Sequence, residues 1–107
     1  MNAETRSKSK PLPIHWSDKA KADLSDIGDF IARDNTSSAQ KWVEKLILAV
    51  EQATDMPYSG RMVPELQRTD IREMLRDNYR IVYLVNAEGL SVLSVFEGHR
   101  KFPDISV

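Results

Sequence analysis

The side chains of this sequence that could do chemistry gather in its last third. Arg80 is the only charge in the strand-forming run Tyr79-Arg80-Ile81-Val82-Tyr83-Leu84-Val85. A guanidinium placed there must reach water, a carboxylate or a phosphate, because burying it unpaired is costly. Arg72 and Arg76 precede it, and Glu97-Gly98-His99-Arg100-Lys101 follows the next apolar run. Paired as a hairpin, these strands are expected to gather Arg72, Arg76, Arg80, His99, Arg100 and Lys101 on one rim. Such a rim could hold an anionic partner or an RNA phosphate, with His99 as general acid or base. It could equally be an ion-pair network with Glu73, Asp77, Glu88 and Glu97, since residues 71–101 hold five Lys or Arg against four Asp or Glu.

Other groups carry less chemistry. Asp23, Asp26 and Asp29 step by three residues and read as the solvated face of a helix. His15 and His99 stand at opposite ends of the chain, and the four glycines are scattered. Neither a metal site nor a phosphate-binding loop is expected from them, and no cofactor is expected. The absence of cysteine excludes disulfides, thiolate zinc sites, iron–sulfur clusters and cysteine nucleophiles. With 15 Lys or Arg against 16 Asp or Glu, the net charge is −1, which argues against a generic electrostatic nucleic-acid binder. An apolar share of 41% and a charged share of 29% over 107 residues are those of one ordinary globular domain. No apolar run is long enough to cross a bilayer, and MNAETRSKSKPLP has no secretory character. A cytoplasmic protein without a membrane partner is the expectation.

The elements that must position these groups follow from pattern. Residues 1–12, with Arg6, Lys8 and Lys10 against Glu4, read as a flexible basic arm, and 13–107 as a single domain. Pro13 to Ser17 has the character of a short strand. Ser17 is a helix cap, and Ala20, Leu24, Ile27, Phe30 and Ile31 then fall on one helical face. Thr36 or Ser37 is expected to cap a second helix, with Trp42, Val43, Leu46, Ala49, Val50 and Ala53 on its apolar face and Pro57 ending it. Trp16 and Trp42 read as packing residues. Residues 56–70 hold two prolines and a glycine without a period, so a turn of helix or a functional loop is expected there. Ile71–Arg76, Tyr79–Val85 and Leu90–Phe96 are strands joined by short turns at Asp77-Asn78 and Asn86–Gly89, which demands antiparallel pairing. The expected class is α+β: a three-stranded meander with an N-terminal edge strand, packed against a two-helix hairpin.

The order of motifs resembles the RelE/ParE superfamily of toxins from bacterial type II toxin–antitoxin operons. The residues that carry the resemblance are Pro57, Gly60-Arg61, Val63-Pro64-Glu65, Ile71-Arg72-Glu73, Tyr79-Arg80-Ile81-Val82-Tyr83, Leu93-Ser94-Val95 and Gly98-His99-Arg100. The resemblance spans about residues 13–103 and implies neutralisation by a co-encoded antitoxin whose C-terminal tail wraps the toxin. It also implies one of two activities. RelE-like members cut mRNA on the ribosome, which would make Arg72, Arg80, His99 and Arg100 catalytic candidates. ParE-like members poison DNA gyrase without being known as nucleases, and on that reading the rim of Arg72, Arg76, Arg80, His99, Arg100 and Lys101 is the candidate surface for the target or the antitoxin. Met74 stands where RelE-like members place a further basic residue, and no tyrosine follows Phe102. The chain also lacks a basic charge excess. The resemblance therefore favours a ParE-like toxin, with a RelE-like ribosome-dependent mRNA endonuclease as the alternative.

Overall fold

A computed structural model describes residues 12–105. Most of the expected arm at 1–12 lies outside the described residues. The elements in chain order are β1 (Ile14–Trp16), α1 (Asp18–Ala32), α2 (Thr36–Ala53), a single 3-10 turn (Pro57–Ser59), β2 (Arg61–Met62), β3 (Ile71–Arg76), β4 (Tyr79–Asn86) and β5 (Gly89–Glu97). The five strands form one sheet in the order β1-β5-β4-β3-β2. The β3–β4–β5 meander is antiparallel and β1 lies at an edge, as the sequence leads one to expect; the structure adds that β1 pairs with β5 in parallel. The correction is β2, a two-residue strand antiparallel to β3 at the other edge. Two residues carry no readable period, so this strand is invisible in sequence.

Local chemistry sets the helix starts. The Ser17 hydroxyl accepts from the Ala20 amide and donates to the Leu93 carbonyl, capping α1 and tying it to β5. Asn35 caps α2 by accepting from the Ser38 amide, in place of the expected Thr36 or Ser37. The helices cover one sheet face. Ala20, Leu46, Ala49 and Val50 pack there against Ile81, Val92 and Val95, and Ala53 packs against Tyr83, Val85 and Leu90. Trp42 is indeed a packing residue. It meets Tyr79 edge-on at 4.4 Å, and its indole N–H reaches Asp77.

The opposite sheet face has its own smaller core. Val82, Ile71 and Leu93 are covered there by Val63 and Leu66 of the 57–70 segment and by Phe102 and Ile105 of the tail. A bulge makes this possible. Val82 pairs with Ser94 and Tyr83 with Val92, which leaves Leu93 without a partner. Alternation therefore slips by one residue, so Val92 and Val95 face the helices while Leu93 and Phe96 face away. Gly89 opens β5 at φ 141°, and its backbone lies against the Pro13 carbonyl, where no Cβ fits.

Candidate functional site

The sequence-selected side chains divide between two sheet faces. Residues across β3 and β4 pair as Arg72 with Tyr83, Met74 with Ile81 and Arg76 with Tyr79. Arg72 and Arg76 therefore share the helix-side face with Tyr83 and Ile81. Arg80 pairs with Leu75 and points to the other face. The expected single rim of Arg72, Arg76 and Arg80 is thus corrected. The two-residue turn at Asp77-Asn78 reverses residue parity between the strands, and that signal was available in the sequence.

Arg80 is the hub of the far face. Its exposure is 8%, and three of its N–H groups meet carboxylates. Nε donates to Glu73 Oε1 at 2.7 Å, Nη1 to Glu65 Oε2 at 2.9 Å and Nη2 to Glu65 Oε1 at 2.7 Å. The guanidinium also lies 5.2 Å from the Phe96 ring centroid and 5.3 Å from that of Phe102. Glu73, fully buried, gives its second oxygen to Arg61 Nε. Arg61, Glu73, Arg80 and Glu65 thus alternate in charge along one chain, which fastens the 57–66 segment and the tail to the sheet. The Arg80 hydrogen bonds hold the Glu65 carboxyl at about 2, well below the ordinary carboxylate value, and the two carboxylates push Arg80 up. Of the four acids the sequence offered Arg80, only Glu73 binds it. Glu65, fifteen residues away, was missed.

Arg72 does equivalent work on the helix side. Its Nε donates to the Thr69 carbonyl, and Nη1 donates to the carbonyls of Tyr58 and Gly60. Its guanidinium lies 5.2 Å from the Tyr58 ring centroid. The Tyr83 hydroxyl, raised in pKa by burial, donates to the Pro57 carbonyl at 2.7 Å. A Cβ at Gly60 would lie 2.5 Å from that hydroxyl and 2.8 Å from the Glu73 carbonyl, so only glycine allows the close approach. The spaced Pro57, Gly60-Arg61 and Glu65 motif is therefore an anchoring device for the loop.

The remaining candidates are free of such work. Arg76 donates only to its neighbouring Leu75 carbonyl and makes no ion pair among the described residues. His99, Arg100 and Lys101 are exposed beyond β5, where the Gly98 amide bonds the Asn78 carbonyl, and Arg100 pairs with Glu97 at 3.2 Å. Asp23, expected on a solvated face, instead accepts from the Ser94 hydroxyl at 2.7 Å and the Val95 amide at 2.9 Å. It caps the β5 edge where β1 ends.

Beside the β3 edge, Arg76 lines a cleft of about 370 Å³. It is lined by the end of α2 (Ala49, Gln52, Ala53), the run from the 3-10 turn into β2 (Ser59, Gly60, Arg61), β3 (Glu73, Met74, Leu75, Arg76) and Tyr83 of β4. Small residues of α2 and Gly60 stand in this cleft beside the charged Arg61, Glu73 and Arg76.

A small sheet backed by a helical hairpin frames these groups, and comparison with known proteins assigns the chain to a family of type II toxin–antitoxin toxins. The family described as ParE toxin of type II toxin-antitoxin system, parDE, matches residues 14–102, and the chain belongs to that family. A Sinorhizobium fredii protein named "Putative toxin Y4kP" is 28% identical over 93 residues, covering 86% of this chain and 94% of that protein. A chain from the chromosomal ParDE TA system from P. aeruginosa shares the fold at a TM-score of 0.65 and 20% identity, covering 80% of this chain and 95% of that one. Among the described residues no helix is long and apolar enough to cross a membrane.

Proposed function

We propose that this ParE-family toxin inhibits DNA gyrase by binding it, without catalysis of its own, and that a co-encoded antitoxin neutralises it. The observation that carries this reading is the state of Arg80. A nuclease role needs a guanidinium ready to meet a phosphate in the transition state. Here the fork of Arg80 is filled by Glu65 and its Nε by Glu73. Arg72 is likewise committed to three backbone carbonyls. That leaves Arg76 and the exposed His99-Arg100-Lys101 segment as contact groups for a protein target.

Induction of the toxin in cells tests the reading. Trapped gyrase–DNA cleavage complexes, filamentation and an SOS response are expected, with translation in a purified system unaffected. Rapid mRNA cleavage on ribosomes, with supercoiling intact, would replace the proposal with the RelE-like activity.

A further inference from the structure

Resting on the reading of this chain as a protein-binding toxin, we propose that the groove between the second half of α1 and the end of β5 grips the target protein. The gripped segment sets a large apolar side chain against Phe30, a base against Asp26 and Asp29, and an acid toward Arg100.

The groove exists because β1 is short. β1 pairs with β5 only from Leu90 to Val92, so among the described residues no strand lies on that side of β5 from Leu93 to Glu97. There α1 is the neighbour, tied to β5 by the hydrogen bonds of Asp23 with Ser94 and Val95. The space left between them is about 420 Å³, lined by Ile27 and Phe30 of α1 and by Val95, Phe96 and Glu97 of β5.

Phe30 is the apolar group without a packing role. It continues the face of α1 that packs Leu24 and Ile27 against the helix-side core. Unlike them, it stays 62% exposed, with the Arg33 guanidinium 5.6 Å from its ring centroid. An exposed aromatic ring beside an apolar groove with a charged border marks a protein contact.

Charge then decides what kind of chain fits. Asp23 is spent on β5 and on Lys19, and Glu97 is held by Arg100. Asp26 and Asp29 line the groove, are exposed and make no ion pair among the described residues. The α1 side thus offers two unspent carboxylates, and Arg100 brings the cations of the 99–101 segment to the other side. Acid on one side and base on the other fix how an occupant lies. Two free carboxylates repel a phosphate backbone, so a nucleic acid does not fit. A protein segment carrying a base, an apolar residue and an acid does. The groove is also continuous, through Arg100, with the exposed His99-Arg100-Lys101 segment assigned above to target contact.

The test is equilibrium binding of the full-length toxin to purified gyrase at low and high salt, beside growth inhibition and binding to the product of the adjacent antitoxin gene. Phe30→Ala should weaken gyrase binding by about 10-fold at either salt. Asp26→Lys combined with Asp29→Lys should weaken it by about 100-fold at low salt and by less at high salt. Growth inhibition should fall with both, while the melting temperature holds, since all three side chains are exposed. The same charge change on α2, Glu51→Lys with Asp55→Lys, should leave gyrase binding and growth inhibition at wild-type level, and an equal loss there would overturn the groove in favour of net charge. Wild-type gyrase affinity in both groove variants would overturn the groove and leave the gyrase reading standing. So would groove variants that lose only antitoxin binding or only self-association. A wild-type toxin that fails to bind gyrase, with growth inhibition still lost in both groove variants, would overturn the gyrase reading and keep the groove as the surface for another target.

Discussion

Arg80 of β4 and Glu65 of the loop before β3 form a two-point ion pair on the sheet face that the helices leave uncovered, at 2.7 and 2.9 Å. The pair joins a loop without regular structure to the centre of the sheet. It also explains how an apolar strand carries an arginine. The charge is desolvated by Phe96 and Phe102 but met by two carboxylates, so its burial is compensated.

Removing that arginine should therefore cost stability before it affects any partner. Arg80→Ala leaves Glu73, at 1% exposure, with Arg61 as its only cation. Breaking a buried pair from one side costs roughly 3–5 kcal/mol. Urea unfolding of the variant should show a loss of that size. A loss under about 0.5 kcal/mol would mean that the network is slack and that Arg80 is free for other work.

The Glu65 carboxyl gives the protein a definite acid response. Its folded value of about 2 lies below the ordinary 4.5. The depressed value means the pair stabilises the fold above pH 4.5 and that this contribution fades as pH falls from 4.5 toward 2. Its side chain is 40% exposed, so solvent screens part of the effect. Glu65→Gln should lower stability at pH 7 and flatten the stability profile between pH 4.5 and 2. Parallel profiles for wild type and variant over that range would assign acid sensitivity to other carboxylates.

How much of this was legible in the sequence depends on the range of the interaction. Helical faces and the meander follow from local periodicity, and they were readable. The Arg80–Glu65 pair joins a strand to a loop with no period, so only the approach of Val63 and Leu66 to the sheet brings it about. The bulge at Leu93 was hidden because β5 is apolar on both faces and a one-residue slip leaves no mark in such a run. The split of Arg76 from Arg80 was readable, since a two-residue turn fixes the pairing of Arg76 with Tyr79. Asp23 was misleading because its spacing matches Asp26 and Asp29, yet only Asp23 lies where β5 has an unpaired amide.

Gly60 and Tyr83 test the loop anchor. Gly60→Ala must displace the Tyr83 hydroxyl or the Glu73 backbone. It should cost more than Tyr83→Phe, which only removes the hydrogen bond to the Pro57 carbonyl, worth about 1 kcal/mol. Thermal melts in that order would support close packing as the reason for the glycine. The reverse order would show that the loop can lift without penalty.

Asp23→Ala should lower stability by roughly 1–3 kcal/mol, because it strands the buried Ser94 hydroxyl and the Val95 amide together. The neighbouring Asp26→Ala and Asp29→Ala are surface changes and should fall within about 0.5 kcal/mol of wild type. Chemical denaturation of the three variants side by side makes the comparison, and equal effects would return Asp23 to the solvated face.

The exposed segment after β5 carries the test of target contact. Truncation after Gly98 would be ambiguous, since it also removes Phe102 and Ile105 from the far-face core. The triple change His99→Ala, Arg100→Ala and Lys101→Ala removes only exposed side chains and one surface pair with Glu97. Surface pairs contribute about 0–1 kcal/mol, so the melting temperature should hold. If the segment meets the target, growth inhibition should fall while antitoxin binding is unchanged. Phe102→Ala should do the opposite, lowering the melting temperature through its lost contact with Arg80 and Phe96. A triple variant that still inhibits growth at wild-type strength would remove His99, Arg100 and Lys101 from the target surface.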